Sequence, residues 1–109
     1  YEVITMTHYN PTDLTDPQKY QAASPKTVHA IEPFYWDNVE VGHYVRIRSS
    51  GEYFWVQVRE VTDTEVTGEV YYELGANPYK IGDTLTFNKC RQFDIYDPMI
   101  LNLIPGIDI

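Results

Sequence analysis

Thiol chemistry has almost no place in this chain. Its 109 residues include a single cysteine, Cys90, so no internal disulfide and no cysteine-built zinc site can form. Histidine is sparse as well: His8, His29 and His43 stand far apart, and none belongs to an H-x-x-x-H pair. The glycines at 42, 51, 68, 75, 82 and 106 are too dispersed to make a phosphate-cradling nest. No serine sits in a G-x-S-x-G elbow. No apolar run approaches a membrane span, and no segment has the order of a signal peptide. Positive charge is short too, with 8 Lys and Arg against 16 Asp and Glu for a formal net charge of −8. A field of that sign repels nucleic-acid phosphates and anionic membranes.

These shortages leave little room for catalysis. Acid–base work needs two carboxylates in one cleft with separated pKa values, whereas Glu60, Glu65, Glu69 and Glu73 sit mostly on the outer side of a predicted hairpin. Cys90 reads as a small apolar residue. The expectation is a protein with no catalytic residue, no metal and no cofactor. It makes no direct contact with nucleic acid or membrane, and its partners are other protein chains.

What the chain does have is apolar and aromatic weight. Apolar residues make up 43%, too many for a disordered chain. Aromatics reach 15%, ten of them tyrosine, a residue that packs along its ring and stays wet at its tip. One compact domain fits the length. The chain opens on Tyr1 and reaches its first methionine at Met6, so processing or a missing leader is allowed.

Residues 1–40 differ from the rest. Pro11, Pro17, Pro25 and Pro33 recur every six to eight residues, and each restricts itself and its neighbour. One short helix is expected at 17–23, with Asp16 as its cap and Pro17 in its first turn. Otherwise the segment reads as an extended N-terminal arm, wrapped on its own domain or docked on a partner.

Period-two alternation begins at Val41. Val45 and Ile47 alternate with Tyr44, Arg46 and Arg48, and Ser49-Ser50-Gly51 is turn chemistry. The next strand, about 52–61, places Phe54, Val56 and Val58 on one face and Trp55, Gln57, Arg59 and Val61 on the other. A third, about 65–73, aligns Val66, Val70 and Tyr72 with the core. The short turn between them sets Val61 opposite Glu65, Phe54 opposite Tyr72 and Trp55 opposite Tyr71. Gly68 then faces Val58, which suits a close crossing. Residues 84–88 make a fourth strand and Phe93 and Ile95 a fifth, stopped at Asp97-Pro98. Five short, bent strands across 41–97 favour an all-β fold, a small five-stranded SH3-like barrel, with an OB-like barrel second. The C-terminal tail, 98–109, is apolar and needs burial.

The outward residues define a candidate partner-binding surface. Trp55 and Tyr71 form a cross-strand pair, edged by Arg59, Tyr44 and Arg46, in residue types that dominate interface energetics. Met99, Ile100, Leu101, Leu103 and Ile104 of the tail add an apolar contact. The arm segment Ile31–Trp36 is an alternative cover for the aromatic face.

Gly42, Val45 and Ile47, then Gly51, Glu52, Phe54, Trp55, Val56 and Val58, then Gly68 and Val70, and finally Gly82, Asp83, Phe87, Ile95 and Tyr96 form a spaced pattern. Over about 42–97 it resembles a small uncharacterised domain of phage and bacterial proteins. Tyr53 stands where that family commonly has Arg, and Tyr71-Tyr72 replaces a polar stretch. The resemblance implies an SH3-like barrel without established activity and a virus-encoded protein, located in the virion or in the cytoplasm of the infected host. The functional expectation is a non-enzymatic interaction or assembly protein, a minor structural component of a virus or phage particle that contacts capsid or tail proteins or a second copy of itself. The alternative is an acidic phage-encoded inhibitor of a host protein.

Overall fold

Alternating aliphatic residues from Val45 to Phe87 generate the core of the computed structural model, which describes residues 6–99. In chain order the elements are β1 (His8–Tyr9), α1 (Pro17–Ala23), a 3-10 turn at Pro33–Asn38, β2 (Tyr44–Ser49), β3 (Glu52–Val61), β4 (Glu65–Val70), β5 (Thr84–Asn88), a 3-10 turn at Lys89–Arg91 and β6 (Asp94–Tyr96). The strands form one six-stranded sheet in the order β1-β5-β4-β3-β2-β6. Every pairing is antiparallel except β1 with β5, so the sheet is mixed. It is open: β1 and β6 end the ladder, with no pairing between them among the described residues. The protein is thus mostly β, as alternation predicts, with one strand more than the expected five. That extra strand, β1, is two residues long and too short to show any period.

Val45, Ile47, Phe54, Val56, Val58, Val66, Val70, Leu85 and Phe87 fill one face, closed by Leu14, Val39 and Tyr79. Burying each such side chain stabilises the fold by roughly 1.5–3 kcal/mol. Gly68 lies against Val58 as expected, and it is required there. A Cβ at this position would sit 2.5 Å from the Val56 Cγ2 atom. The Ser49–Glu52 hairpin turns through Ser50 and Gly51, both at positive φ, which is the two-residue geometry that matches strand twist.

Two register expectations are corrected. Val61 pairs with Val66, not Glu65, because a bulge between Val58 and Glu60 inserts one residue. A single insertion exchanges the faces beyond it. Val61 therefore packs on the core, and Glu60 avoids the core position that strict alternation after Val58 would assign it. Second, β4 ends at Val70 rather than about residue 73. Val70 donates to the Asp83 carbonyl at 2.8 Å and accepts from the Gly82 N–H at 3.0 Å, so the chain is drawn towards β5. Tyr71 and Tyr72 leave the ladder.

The described residues preceding β2, 6–43, wrap on the sheet, one of the two arrangements the sequence allows for this segment. Leu14, Val28 and Val39 are buried. Helix α1 starts as its cap predicts: the Asp16 carboxylate accepts from the N–H groups of Gln18 at 3.0 Å and Lys19 at 3.3 Å. Polar pins complete the attachment. Arg48 Nη1 donates to Thr15 Oγ1 at 3.1 Å, Arg91 lies 3.1 Å from Asp16, and Lys89 Nζ donates to Asp37 Oδ1 at 2.9 Å. Gln92 Nε2 donates to the Trp36 carbonyl at 3.1 Å.

Candidate functional site

The face opposite the core is built by the outward positions of β2 and β3. Antiparallel register sets Arg46 opposite Trp55 and Arg48 opposite Tyr53. Cations and rings interleave there. The Arg48 guanidinium lies 4.3 Å from the Tyr20 ring centre and 5.6 Å from that of Tyr53. Arg46 lies 4.8 Å from Tyr53 and 6.0 Å from Trp55. Each such contact is worth about 0.5–1 kcal/mol at an exposed site. Beyond Trp55 the rings alone continue: Trp55 to Tyr96 at 6.3 Å, Tyr96 to Tyr44 at 6.1 Å, and Tyr44 to Tyr71 at 5.2 Å.

Trp55, Tyr44, Arg46 and Tyr71 therefore share one face, but the expected cross-strand pairing of Trp55 with Tyr71 is replaced by a relay through Tyr96 and Tyr44. The early end of β4 is the cause. Tyr72, also freed, accepts the Trp55 N–H on its hydroxyl at 3.0 Å, satisfying a donor that β4 no longer reaches. The adjoining Tyr71 hydroxyl, then partial burial, holds the Tyr44 hydroxyl above the ordinary phenol range. Arg59 is not a free cationic edge: its Nε donates to Glu69 Oε2 at 2.8 Å and its Nη2 reaches the same oxygen.

Cover and exposure divide the face. Tyr20 and Phe93 close the Arg48 end, with Phe93 set edge-on to Tyr53 at 5.2 Å. Tyr71 at the other end is 56% exposed. The segment Ile31–Trp36 reaches only the border of this face, where Ile31 donates to the Phe93 carbonyl at 3.1 Å and lies beside Arg46. Its 3-10 turn packs on the Lys89–Arg91 turn, and Phe34 points outward, 83% exposed. Of the tail candidates, Met99 is exposed, while Ile100, Leu101, Leu103 and Ile104 lie outside the described residues.

A second feature escaped sequence reasoning. Ile31, Tyr35, Asp37, Asn38, Glu40, His43, Ile95 and Asp97 line a cleft of about 650 Å³. His43 Nδ1 accepts the Glu40 N–H at 3.1 Å, and Nε2 lies 3.4 Å from Asp97 Oδ2 and 3.7 Å from Glu40 Oε2. The β2–β6 register explains the meeting: Tyr44 pairs with Tyr96, so the residues just outside each strand are neighbours. Alternation could have found it only if that pairing were known. Among the described residues no three His, Cys, Asp or Glu side chains form a metal-ligand set, and no helix is long and apolar enough to cross a membrane. No family model matches the chain, and neither a curated protein nor a solved structure is significantly similar to it.

Proposed function

We propose that this protein is a non-enzymatic interaction and assembly protein that docks another protein chain on its outer aromatic face. The observation that carries this reading is the one-ended stack: rings and guanidiniums locked together at Tyr20, Arg48, Tyr53 and Arg46, then running out to an exposed Tyr71. Rings already held by neighbours lose little freedom when a partner covers them, which favours binding. Tyr, Trp and Arg are also the residue types in which interface energy concentrates.

The connectivity supports an SH3-like barrel as the finer description. Strands β2 to β5 form a meander, a 3-10 turn follows, and β6 returns beside β2. The resemblance of residues 42–97 to phage and bacterial domains supports a minor component of a virus particle as the setting, with capsid or tail proteins as partners. The inhibitor alternative draws less support, since Asp16, Asp37, Glu52 and Glu69 are engaged within the fold.

A photo-crosslinking residue at position 71 tests the reading in the assembled state. A discrete adduct from position 71, and none from the hairpin turn at Thr64, is expected. No adduct from position 71, or equal adducts from both, overturns it.

A further inference from the structure

The cleft beside β6 continues into a second depression of about 290 Å³ lined by Val41, Gly42, Pro98 and Met99, and the two share Glu40, His43 and Asp97. They make one groove. Exposed apolar side chains gather along it: Val41 is 64% and Met99 63% exposed, and Tyr35 carries the outward Phe34 ring edge-on at 5.3 Å. A soluble domain usually scatters such groups; several around one depression mark a contact surface.

Charge selects the occupant. Asp37, Glu40 and Asp97 stand along the groove, and no lysine or arginine lines it. Lys89 pairs with Asp37, while among the described residues no lysine or arginine reaches Glu40 or Asp97; both lie near His43, and Asp97 Oδ1 also accepts the Met99 N–H at 2.9 Å. The rest of the chain has the same sign, with a formal net charge of −8. Arg46, Arg48, Arg59, Lys89 and Arg91 are held elsewhere by rings or carboxylates within the fold. An approaching basic segment is attracted at long range and an acidic one is turned away. Shape adds one more condition. β6 is the end strand of the sheet, and its backbone is already engaged there: the Phe93 carbonyl just before it accepts the Ile31 N–H at 3.1 Å, and the Ile95 N–H donates to Asp94 Oδ1 at 2.9 Å. Two depressions joined end to end therefore suit an extended peptide held by its side chains.

We propose that this groove binds an extended, basic-aliphatic peptide segment of a partner protein, apolar side chains against Ile31, Ile95 and Met99 and a Lys or Arg between Glu40 and Asp97. The site is separate from the aromatic face, and the two can fail independently.

The test titrates the full chain with an acetylated, amidated hexapeptide of alternating valine and arginine, and with its valine–glutamate counterpart, following amide and side-chain resonances. Saturable shifts centred on Ile31, His43 and Ile95 are expected with the arginine peptide only. Glu40→Lys, at an exposed position, weakens that binding about fivefold, the scale of one solvated ion pair, and added salt weakens it further. Crosslinking from position 71 is unchanged by Glu40→Lys if the two sites are separate. Equal binding of both peptides, no saturable binding, or shifts centred on Trp55 and Tyr71 overturns the proposal. So does binding that appears only when Leu101→Ser and Leu103→Ser are introduced in the full chain, which would make its own tail the occupant. A solution mass that falls on Glu40→Lys would assign the groove to a second copy and equally overturn it.

Discussion

The sheet and the segment before it are held by different physics. Strands β2 to β5 share ladders of backbone hydrogen bonds and a dry aliphatic core in which Phe54, Val56, Val58 and Leu85 have no exposed surface. The preceding segment buries Leu14, Val28 and Val39, lends the two-residue β1 to the sheet and makes two isolated backbone bonds, Thr15 N–H to the Arg48 carbonyl and Ile31 N–H to the Phe93 carbonyl; its remaining attachments are single side chains reaching out from the sheet and its last turn: Arg48, Lys89, Arg91 and Gln92. A core fails as a whole, since its members contact one another. Pins fail one at a time. The scarce cations of an acidic chain thus serve largely as internal fasteners.

The contrast can be broken most forcefully from the core. Phe54→Ala should cost about 3–5 kcal/mol, the range for truncating a buried aromatic ring. Urea unfolding followed by both amide exchange and aromatic fluorescence should show sheet and preceding segment lost in one transition. Two separated transitions would mean that the segment folds on its own. Lys89→Met should act locally and cost about 1.5–3 kcal/mol, as for hydrogen bonds to a charged group. Exchange should quicken over residues 33–38 while the β3 and β4 amides keep their protection. An equal rise across the sheet would make Lys89 part of the core instead of a pin.

Acid should produce the smallest effect and the sharpest distinction. Burial pulls the Asp16 carboxyl upward, but the Lys19 and Gln18 N–H groups and Arg91 outweigh it and leave it below its ordinary 3.8. Glu52 is held below 4.5 by the N–H groups of Gly75 and Ala76 and the Asn77 amide. Both are depressed in the folded state. Their stabilisation is therefore complete above the unfolded values and is lost as pH falls through the lowered folded ones. Below about pH 4, amides at Gln18, Lys19 and Ala76 should lose protection before those of β3. Asp16→Asn should abolish the change at α1 and leave the one at Ala76, as read from amide shifts during titration. Simultaneous loss at all three and in β3 would show that acid acts on the whole fold.

Much of this was readable along the chain, for local reasons. The α1 start follows from Asp16-Pro17, the β2–β3 turn from Ser50-Gly51, and the bounds of β3 and β5 from alternation. Reading broke down where one residue depends on distant ones. The bulge at Arg59 is visible only as Val58 and Val61 lying three apart, a spacing that alternation assigns to opposite faces. Tyr71 and Tyr72 extend the pattern of β4 in sequence, yet Asp83 and Gly82 draw Val70 away from it. Of the candidate contact residues, Trp55, Tyr44, Arg46 and Tyr71 share one face as alternation implies; the Trp55–Tyr71 pair is the contact it gets wrong, and it gives no sign that Arg59 partners Glu69.

The order of residues by itself determined strands β2, β3 and β5, the helix cap, the inward aliphatic set of those strands short of the bulge, and the negative net charge, because alternation, turn dihedrals, capping and charge depend on near neighbours or on none. Tertiary structure alone decided which ring meets which, that Lys89 and Arg91 fasten the preceding segment, and that His43 comes to Asp97 at the end of β6. Those outcomes depend on which strands pair and where a ladder ends. Such pairing is settled by the combined burial of groups far apart in the chain, and no local pattern records it.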